Sequence, residues 1–392
     1  MKKTARSLFG ILLMSSLALG TISCNDDSND NTQTPGQNDE FKADPNKLEG
    51  TITKGTVTLD ATKEYQLTGK LVVANGAKLV VPAGTTIVGI NGTSSYIAVA
   101  QGGQIEVNGT ATNPVVFTGK AQTPGCWGGL VLCGKAPINK AGTATSEVAD
   151  LPYGGSDAAD NSGSIKYLRI EYAGALFSAD KEFNGLSLFG VGNGTTIDYV
   201  QLHNGSDDGI EFFGGTVNTS HIVSTKNEDD QFDWTEGYSG TNNFWYAKEN
   251  TSIGNRGIEA DNNADNHTAT PNSNPTINNL TLIGHGNNGE EAQAMELRVG
   301  TWATIDNVVL SNWGTGFKVE NDATIDAVEA GKLKVTNVKF DNVDTKAIYL
   351  DNSKPQQEKN PTPGVYTESE TATGAGNGID TPDWAKGWTV DL

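Results

Sequence analysis

The sequence lacks most of the features that mark helical, disulfide-rich or membrane-spanning proteins. Only three cysteines and four histidines occur in 392 residues. After Cys24 the cysteines are Cys126 and Cys133, which we expect to be small buried thiols unless a bend brings them into disulfide reach. They make a poor zinc site because no histidine lies near them. No amphipathic helical pattern extends over three turns, and no apolar run is long enough for a membrane span.

Positive charge is also scarce. The chain carries 27 Lys and Arg against 47 Asp and Glu, which gives a net charge of −20. This balance excludes nucleic acid and anionic membrane surfaces as partners. It suits the binding of cations or neutral glycans, and it also keeps a protein soluble.

The first 47 residues differ from the rest and predict export. Residues 1–23 combine a basic start, a short apolar core and small residues before a cysteine, which is the pattern of a signal peptide. Small residues directly before Cys24 resemble a lipoprotein signal, which implies that Cys24 becomes the acylated first residue. Ordinary cleavage near Ser23 is the alternative. Residues 24–47 are polar and poor in apolar side chains, so we expect a disordered tether.

The acidic run that follows Cys24 resembles the tag of Bacteroidetes lipoproteins that are sent to the cell surface. The resemblance implies a lipid anchor in the outer membrane and exposure on its outer side. A protein in this position would serve a neighbouring outer-membrane transport system as a partner.

A repeat of 22 residues between Ile197 and Gly237 predicts the fold. IDYVQLHNGSDDGIEFFGG aligns without a gap on TSHIVSTKNEDDQFDWTEG, so that apolar residues fall on apolar ones and acidic on acidic. A fixed period in this range is typical of a solenoid, whose coils bury their apolar sides by stacking. Short strands bounded by Gly, Asn and Asp continue over residues 48–352. We therefore predict an all-β chain, a right-handed single-stranded parallel β-helix of about ten coils.

The ends of a solenoid need covers because they would otherwise expose strand edges. Residues 353–392 contain four prolines and should wrap around the body as a C-terminal cap. We expect Trp384 and Trp388 to cover the last coil. A β-sandwich would give no in-register repeat, and a leucine-rich repeat needs a helix and a leucine ladder that are missing here.

Several phrases, in order, resemble one family of bacterial surface lipoproteins. They include GCWGGLVLCGKAPIN, LPYGGSDAADNSGSIKYLRIEYAGA and NEDDQFDWTEGYSG, and the likeness covers most of residues 67–313. The resemblance implies a pectin lyase-like β-helix and a surface location. It supplies no activity.

The repeat predicts a column of carboxylates on one outer face. Side chains alternate between the faces of a strand, so one residue of each short phrase points outward. The phrases GIEF, QFDW, GIEA, AMEL, GFKV and AIYL then give an outward column of Glu211, Asp233, Glu259, Glu296, Lys318 and Tyr349. The turns before the first two phrases add Asp207, Asp208, Asp229 and Asp230.

Stacked carboxylates about 5 Å apart repel one another, which raises pKa values or recruits a cation. Asp208, Asp230, Asp261 and Asp265 are the metal-ligand candidates, and calcium is the cation that such oxygen ligands suit. Asp261-Asn262-Asn263-Ala264-Asp265 offers oxygens at alternate positions. A solvated acidic face without a ligand, or an adhesive or structural protein, remains the alternative.

Catalysis is a further hypothesis. Asp207-Asp208 and Asp229-Asp230, one coil apart, with Gly284-His285-Gly286 further on, resemble the residues of pectin hydrolases, and carboxylates roughly 6.5–9.5 Å apart serve an inverting mechanism. His285 precedes its outward phrase by too many residues, and no Arg-x-Lys follows. A lyase would need calcium and a base, for which the candidates are Arg256, Arg298 and Lys318.

Aromatic residues lie beside the acidic column. Alternation points Phe212 and Trp234 inward, and we expect Phe213, Trp245 and Tyr246 to be exposed. An exposed aromatic ring beside carboxylates is typical of a sugar site, so Trp245 joins the carboxylates as a candidate ligand-binding residue. His221 and His285 are predicted to be corner or surface residues.

Overall fold

The computed structural model describes residues 41–178, 181–249, 254–287 and 291–392. The predicted signal peptide, the lipidation site Cys24 and residues 24–40 of the tether lie outside the described residues. No helix among the described residues is both long and apolar enough to cross a membrane.

The described chain is almost entirely β-structure. The strands of the first half are Leu48–Ile52 (β1), Gly55–Thr58 (β2), Glu64–Val73 (β3), Ala77–Pro82 (β4), Thr86–Gly89 (β5), Gly92–Val99 (β6), Gln104–Asn108 (β7), Val115–Gly119 (β8), Trp127–Cys133 (β9), Ala144–Thr145 (β10), Pro152–Tyr153 (β11), Gly163–Glu171 (β12), Leu176–Ser178 (β13), Lys181–Glu182 (β14) and Leu186–Phe189 (β15). Those of the second half are Thr196–His203 (β16), Ile210–Phe213 (β17), Asn218–Thr225 (β18), Phe232–Thr235 (β19), Thr241–Lys248 (β20), Ile258–Ala260 (β21), Thr276–Gly286 (β22), Gln293–Leu297 (β23), Ala303–Glu320 (β24), Leu333–Leu350 (β25) and Tyr366–Glu368 (β26). One α-helix, Asp322–Glu329 (α1), and one 3-10 turn, Asp383–Ala385, complete the list.

The strands stack in parallel into three faces, which confirms the right-handed parallel β-helix. Face A begins with the second half of β3, contains β6, β9, β15, β17, β19, β21 and β23, and ends with the last parts of β24 and β25. Face B begins with β2, β4 and β7 and continues through the first parts of the long strands from β12 onward. Face C begins with the first half of β3, β5 and β8 and continues through the second halves of β12, β16, β18, β20 and β22 and the middle parts of β24 and β25.

From β12 onward the corner between faces B and C is a single left-handed residue in each coil. In β16, β18 and β20 it is Tyr199, His221 and Phe244, with φ of 56°, 53° and 56°. In β22 the same position is Asn279, with φ of 63°. Bulky residues are costly in this conformation, whereas asparagine tolerates it. The aromatic rings offset that cost by stacking: the centroid of His221 lies 4.2 Å from that of Tyr199 and 5.0 Å from that of Phe244.

The core fills the inside of the coils. Ile277, Ile305 and Val335, the predicted first inward residues of their strands, are fully buried and follow one another in register. Phe212 and Trp234 are also inside, as alternation predicts. Cys133 is buried and Cys126 half-buried, and neither forms a disulfide with a described residue, which agrees with two small thiols.

The folded body begins earlier than residue 48. Residues 41–47 belong to the predicted tether. In the structure, however, Phe41 packs against the core, and the carbonyl of Pro45 accepts a hydrogen bond from the backbone N–H of Gln66 at 2.7 Å. One aromatic anchor is enough to order this short segment, and a composition average over residues 24–47 hides it.

The C-terminal segment covers a different surface from the one predicted. Trp388 is buried and Trp384 half-buried, but they pack on Tyr199 at the corner of the middle coils, with ring centroids 6.0 and 6.5 Å away. The expectation that they cover the last coil is wrong, because the aromatic corner offers them a larger apolar surface. Strand β26 pairs with β25 and covers the last coil instead.

Candidate functional site

The outward column of face A is in register through five coils. Glu211 pairs with Asp233, Asp233 with Glu259, Glu259 with Glu296 and Glu296 with Lys318. The predicted last member, Tyr349, is wrong by one residue: Lys318 pairs with Ile348, and Tyr349 is buried against the core. The phrase AIYL misled the alignment because Ala347, not Ile348, takes the inward place of Phe317.

A second stack lies in the turn that leads into each strand of face A. The backbone N–H groups of Gly185, Gly209 and Gln231 donate to the carbonyls of Asp208, Asp230 and Arg256, each in the following coil. One turn position is thus occupied successively by Asn184, Asp208, Asp230 and Arg256. The Asp208 carboxylate accepts from the N–H of Asp230 at 3.0 Å, and that of Asp230 from the N–H of Arg256 at 2.8 Å.

The two stacks bring carboxylate oxygens together in three groups, in each of which they lie within 4.8 Å of one another. The groups are Asp207, Asp208 and Asp229; Asp208, Glu211 and Asp233; and Asp230, Asp233 and Glu259. Most of the predicted ligand-binding carboxylates therefore share one continuous site. Glu296 lies one coil further along the same column.

Burial and mutual repulsion change the protonation of this site. Burial, with the nearby charge of Asp229, raises the pKa of Asp207 to about 8. Burial is also the first cause that raises the pKa values of Asp208, Glu211, Asp230 and Asp233 well above the ordinary range, and the neighbouring carboxylates add to it. Such carboxyl groups hold protons near neutral pH unless a cation replaces those protons.

Five of the carboxylates have no cationic partner in the described part of the chain. Among the described residues, no Lys, Arg or His forms an ion pair with Asp207, Asp208, Glu211, Asp229 or Asp233. We call these five residues the acidic half of the site. Arg256 Nη1 approaches Asp230 only at 3.6 Å, so Asp230 lies at the boundary.

In the next coils, arginine and lysine side chains neutralise the carboxylates. The buried guanidinium of Arg256 pairs with Glu259, at 2.7 Å, and with Glu296. Arg298 pairs with Glu259 and, at 2.7 Å, with Asp261. Lys318 Nζ lies 2.6 Å from Glu296 and 2.8 Å from Glu320. We call this set the paired half of the site: Arg256, Glu259, Asp261, Glu296, Arg298, Lys318 and Glu320.

Further residues, which were not among the predicted ligands, extend the acidic half. Asn184 and Ser187 stand one coil before Asp208 and Glu211, and both are buried. Asn184 Nδ2 donates to Glu211 at 2.7 Å, while its Oδ1 and the Ser187 hydroxyl have no partner among the described residues. The phrase NGLSLF, aligned on DGIEFF, carried this signal. Glu147 comes from an insertion between coils, and no sequence pattern indicated it. Burial and the charge of Glu236 raise its pKa.

Two predicted metal ligands fall outside the carboxylate groups. Asp261 is held by Arg298, and Asp265 is exposed, with its backbone N–H bonded to Asn263 Oδ1 at 3.0 Å. The segment 261–265 turns back on its own amide groups and does not wrap around an ion. Asp261 and Asp265 therefore do not join the carboxylate groups, and their role as metal ligands stays a prediction.

The aromatic residues expected at the surface are buried. Trp245 is fully buried, donates to Thr219 Oγ1 at 2.8 Å and stacks on Phe232 with centroids 4.4 Å apart. It fills the inward position after the left-handed corner residue, a shift that simple alternation does not include. Phe213 packs on Phe189 beneath the insertion, and the C-terminal segment covers Tyr246. Trp245 is therefore not a ligand-binding residue.

His221 and His285 both lie in structural environments. His221 belongs to the aromatic corner and bonds Asp198 at 2.9 Å, so its assignment to a corner is confirmed. His285 is buried and bonds the buried Glu249, whose pKa burial raises to about 7. The surface position expected for His285 is wrong.

The geometry disfavours the lyase and the inverting hydrolase. Nearby carboxylates raise the pKa values of Arg256, Arg298 and Lys318 despite their burial, so all three keep their protons and none suits the base of a lyase. Within each group the carboxylate oxygens lie within 4.8 Å of one another, which is shorter than the separation of an inverting hydrolase and nearer to that of a retaining one.

Three parallel faces and an acidic column define the class: this is a parallel β-helix protein with a carboxylate site on one outer face. The chain belongs to the family described as the pectate-lyase-like beta helix domain, whose model matches residues 50–389. No curated protein and no solved structure matches the chain significantly. The match supports the pectin lyase-like fold expected from the resemblance.

Proposed function

We propose that the protein binds a divalent cation of the calcium class in the acidic half of the site. The observation that carries this proposal is the absence of any cationic partner for five clustered carboxylates among the described residues, although the next coils supply three. Calcium takes six to eight oxygen ligands, and it accepts carboxylates, amides and hydroxyls together. The unpartnered oxygens of Asn184 and Ser187 add neutral donors of the required kind.

The experiment is calcium titration calorimetry on the full chain, with the double variant Asp208→Asn and Asp233→Asn. Both residues belong to the central group of carboxylates, so the variant should bind calcium about a hundredfold more weakly or not at all. Asp344→Asn, an exposed position in the last coil, is the matched control and should bind like the parent. Equal calcium affinity in the double variant and the parent would refute the proposal.

Surface display and glycan capture complete this proposed role. The residues before Phe41 supply the basis: a signal-like segment, Cys24 and an acidic run. A lipid anchor at Cys24 would hold the β-helix at the outer membrane, where the loaded face can present the cation to a glycan for a transport partner. Fatty-acid labelling should disappear in Cys24→Ala, and labelling that persists in that variant would contradict the anchor.

A polysaccharide-degrading enzyme is the second candidate, and the family match favours it. Carboxyl groups protonated near pH 7, such as Asp207, are suited to act as general acids. The protein, incubated with acidic and neutral polysaccharides in the absence and in the presence of calcium, would then release reducing ends or unsaturated product. If no polysaccharide gives a product while calcium binding is intact, the enzyme hypothesis fails and only the binding role remains.

A further inference from the structure

The five carboxylates of the acidic half form two overlapping groups. We call Asp207, Asp208 and Asp229 the turn group, and Asp208, Glu211 and Asp233 the strand group. Calcium holds oxygen ligands at about 2.3–2.6 Å, so two oxygens on one ion lie at most about 5 Å apart. Each group meets this limit, with its oxygens within 4.8 Å of one another. Apart from Asp208, no described residue of one group shares a group with a member of the other. One ion therefore cannot take all five carboxylates.

The preceding coil adds neutral oxygens to the strand group. Ser187 is the register partner of Glu211, and Asn184 Nδ2 donates to Glu211 at 2.7 Å. Asn184 is 2% exposed and Ser187 is fully buried. Asn184 Oδ1, Ser187 Oγ and Asp233 Oδ1 are all buried without a hydrogen-bond partner in the described structure. Buried polar atoms are normally satisfied, so three such oxygens around one group indicate a missing ion.

The turn group has an unpartnered oxygen of the same kind beside it. Asn255 Nδ2 donates to Asp229 at 2.5 Å, whereas Asn255 Oδ1 is buried and has no partner among the described residues. Glu182, in β14, adds a further carboxylate: burial and the charge of Asp229 raise its pKa. The turn group thus offers oxygens for an ion of its own. It offers fewer of them than the strand group, so water must complete the coordination of that ion.

The third group of carboxylates does not need an ion. Arg256 Nη1 lies 2.7 Å from Glu259 and 3.6 Å from Asp230, and Arg298 also pairs with Glu259. The protein therefore supplies positive charge to the group of Asp230, Asp233 and Glu259 by itself. Within the described part of the chain it supplies none to the turn group or to Glu211 and Asp233 of the strand group.

We propose that the acidic half binds two divalent cations of the calcium class, one in each group, with Asp208 as the shared ligand. This inference rests on the proposed cation binding and adds a second ion to it. Asp208 Oδ1 accepts a hydrogen bond from the N–H of Asp230, which leaves lone pairs on both carboxylate oxygens for the two ions. Two divalent ions carry four positive charges against the five carboxylates, so the loaded site is close to neutral.

Calcium titration calorimetry on the full chain at pH 8 counts the ions. The parent should bind two ions per chain. Asp229→Asn changes a ligand of the turn group alone, so this variant should keep one ion, in the strand group. Glu228→Gln is the matched control, because Glu228 is the exposed neighbour of Asp229 and belongs to neither group. The control should bind two ions like the parent.

Manganese(II) EPR on the unaltered protein gives a second measurement that needs no variant. Two ions that share a carboxylate lie about 4 Å apart, so their coupling should broaden the resolved hyperfine lines of an isolated manganese ion once two equivalents are bound. Unbroadened lines at two equivalents would overturn the proposal.

The count of ions separates this proposal from the cation binding on which it rests. A parent that binds one ion per chain would overturn the second site and leave the proposed function standing. A parent that binds no ion would overturn both. Two ions in the parent and also in Asp229→Asn would place the second ion outside the turn group, and that result too would overturn the proposal.

Discussion

The acidic half and the paired half have nearly the same backbone but opposite electrostatics. Glu211, Asp233 and Glu259 follow one another in register on face A, and Glu296 comes next. From Glu259 onward each carboxylate meets an arginine or a lysine, while the coils before it provide none within the described residues. The strand geometry therefore does not decide whether a carboxylate is neutralised.

The turn before each strand accounts for part of this difference, and Arg298 and Lys318 account for the rest. The position held by Asn184, Asp208 and Asp230 in three coils is held by Arg256 in the fourth. This one change replaces a negative charge with a positive one at the point where the strand of face A begins. The backbone hydrogen bonds of the stack are kept, so the fold accepts either charge at this position. We infer that the acidic half is left open for a cation from outside.

Removing Arg256 should leave the paired half with an excess of negative charge, which only Arg298 and Lys318 then balance. The Arg256→Ala variant leaves the buried Glu296 and the largely buried Glu259 and Asp230 without their shared guanidinium. Loss of one partner from a buried ion-pair network costs about 3–5 kcal/mol of unfolding free energy. Urea denaturation at pH 7 measures this change.

Lys346→Ala is the control for that prediction. Lys346 pairs with Glu368 at 2.7 Å, but both side chains are 46% exposed, so its loss should shift the urea midpoint little. Arg256→Lys keeps one positive charge and should recover part of the lost stability. If the midpoints of Arg256→Ala and Lys346→Ala are the same, the paired half is not what stabilises these coils.

The sequence predicts which carboxylates stack on one another but not which basic residues neutralise them. The 22-residue repeat is enough to place Asp208 beside Asp230 and Glu211 beside Asp233, because register follows from the period. It does not reveal Arg256 as the partner of Glu259 and Glu296. The interval between coils grows there, and ion pairs depend on loop paths that no period describes.

The prediction that aromatic residues beside the acidic column are exposed is wrong for a related reason. Strict alternation makes Trp245 an outward residue, but the left-handed Phe244 before it turns the corner and resets the alternation. Aromatic residues seldom adopt this conformation, so the sequence gives little warning. The stack of Tyr199, His221 and Phe244 and the tryptophans that cover it are visible only in three dimensions.

The pH dependence of stability should report on the protonation of the acidic half in the absence of calcium. The pKa of Asp207 rises from 3.8 to about 8 on folding, so the native state binds more protons than the unfolded state between about pH 4 and pH 8. Unfolding free energy falls with rising pH wherever the native state holds the extra protons. The calcium-free protein should therefore lose about 1–3 kcal/mol of stability between pH 5 and pH 8.

Thermal unfolding at several pH values, with and without calcium, checks this prediction. Calcium should restore stability at pH 8 and have little effect at pH 5, because protons then occupy the carboxylates that it needs. Asp207→Asn with Asp208→Asn should flatten the pH dependence and raise the melting temperature at pH 8 without calcium. A parent protein that is more stable at pH 8 than at pH 5 would mean that the acidic half is ionised at little cost, and the reason for a cation there would be lost.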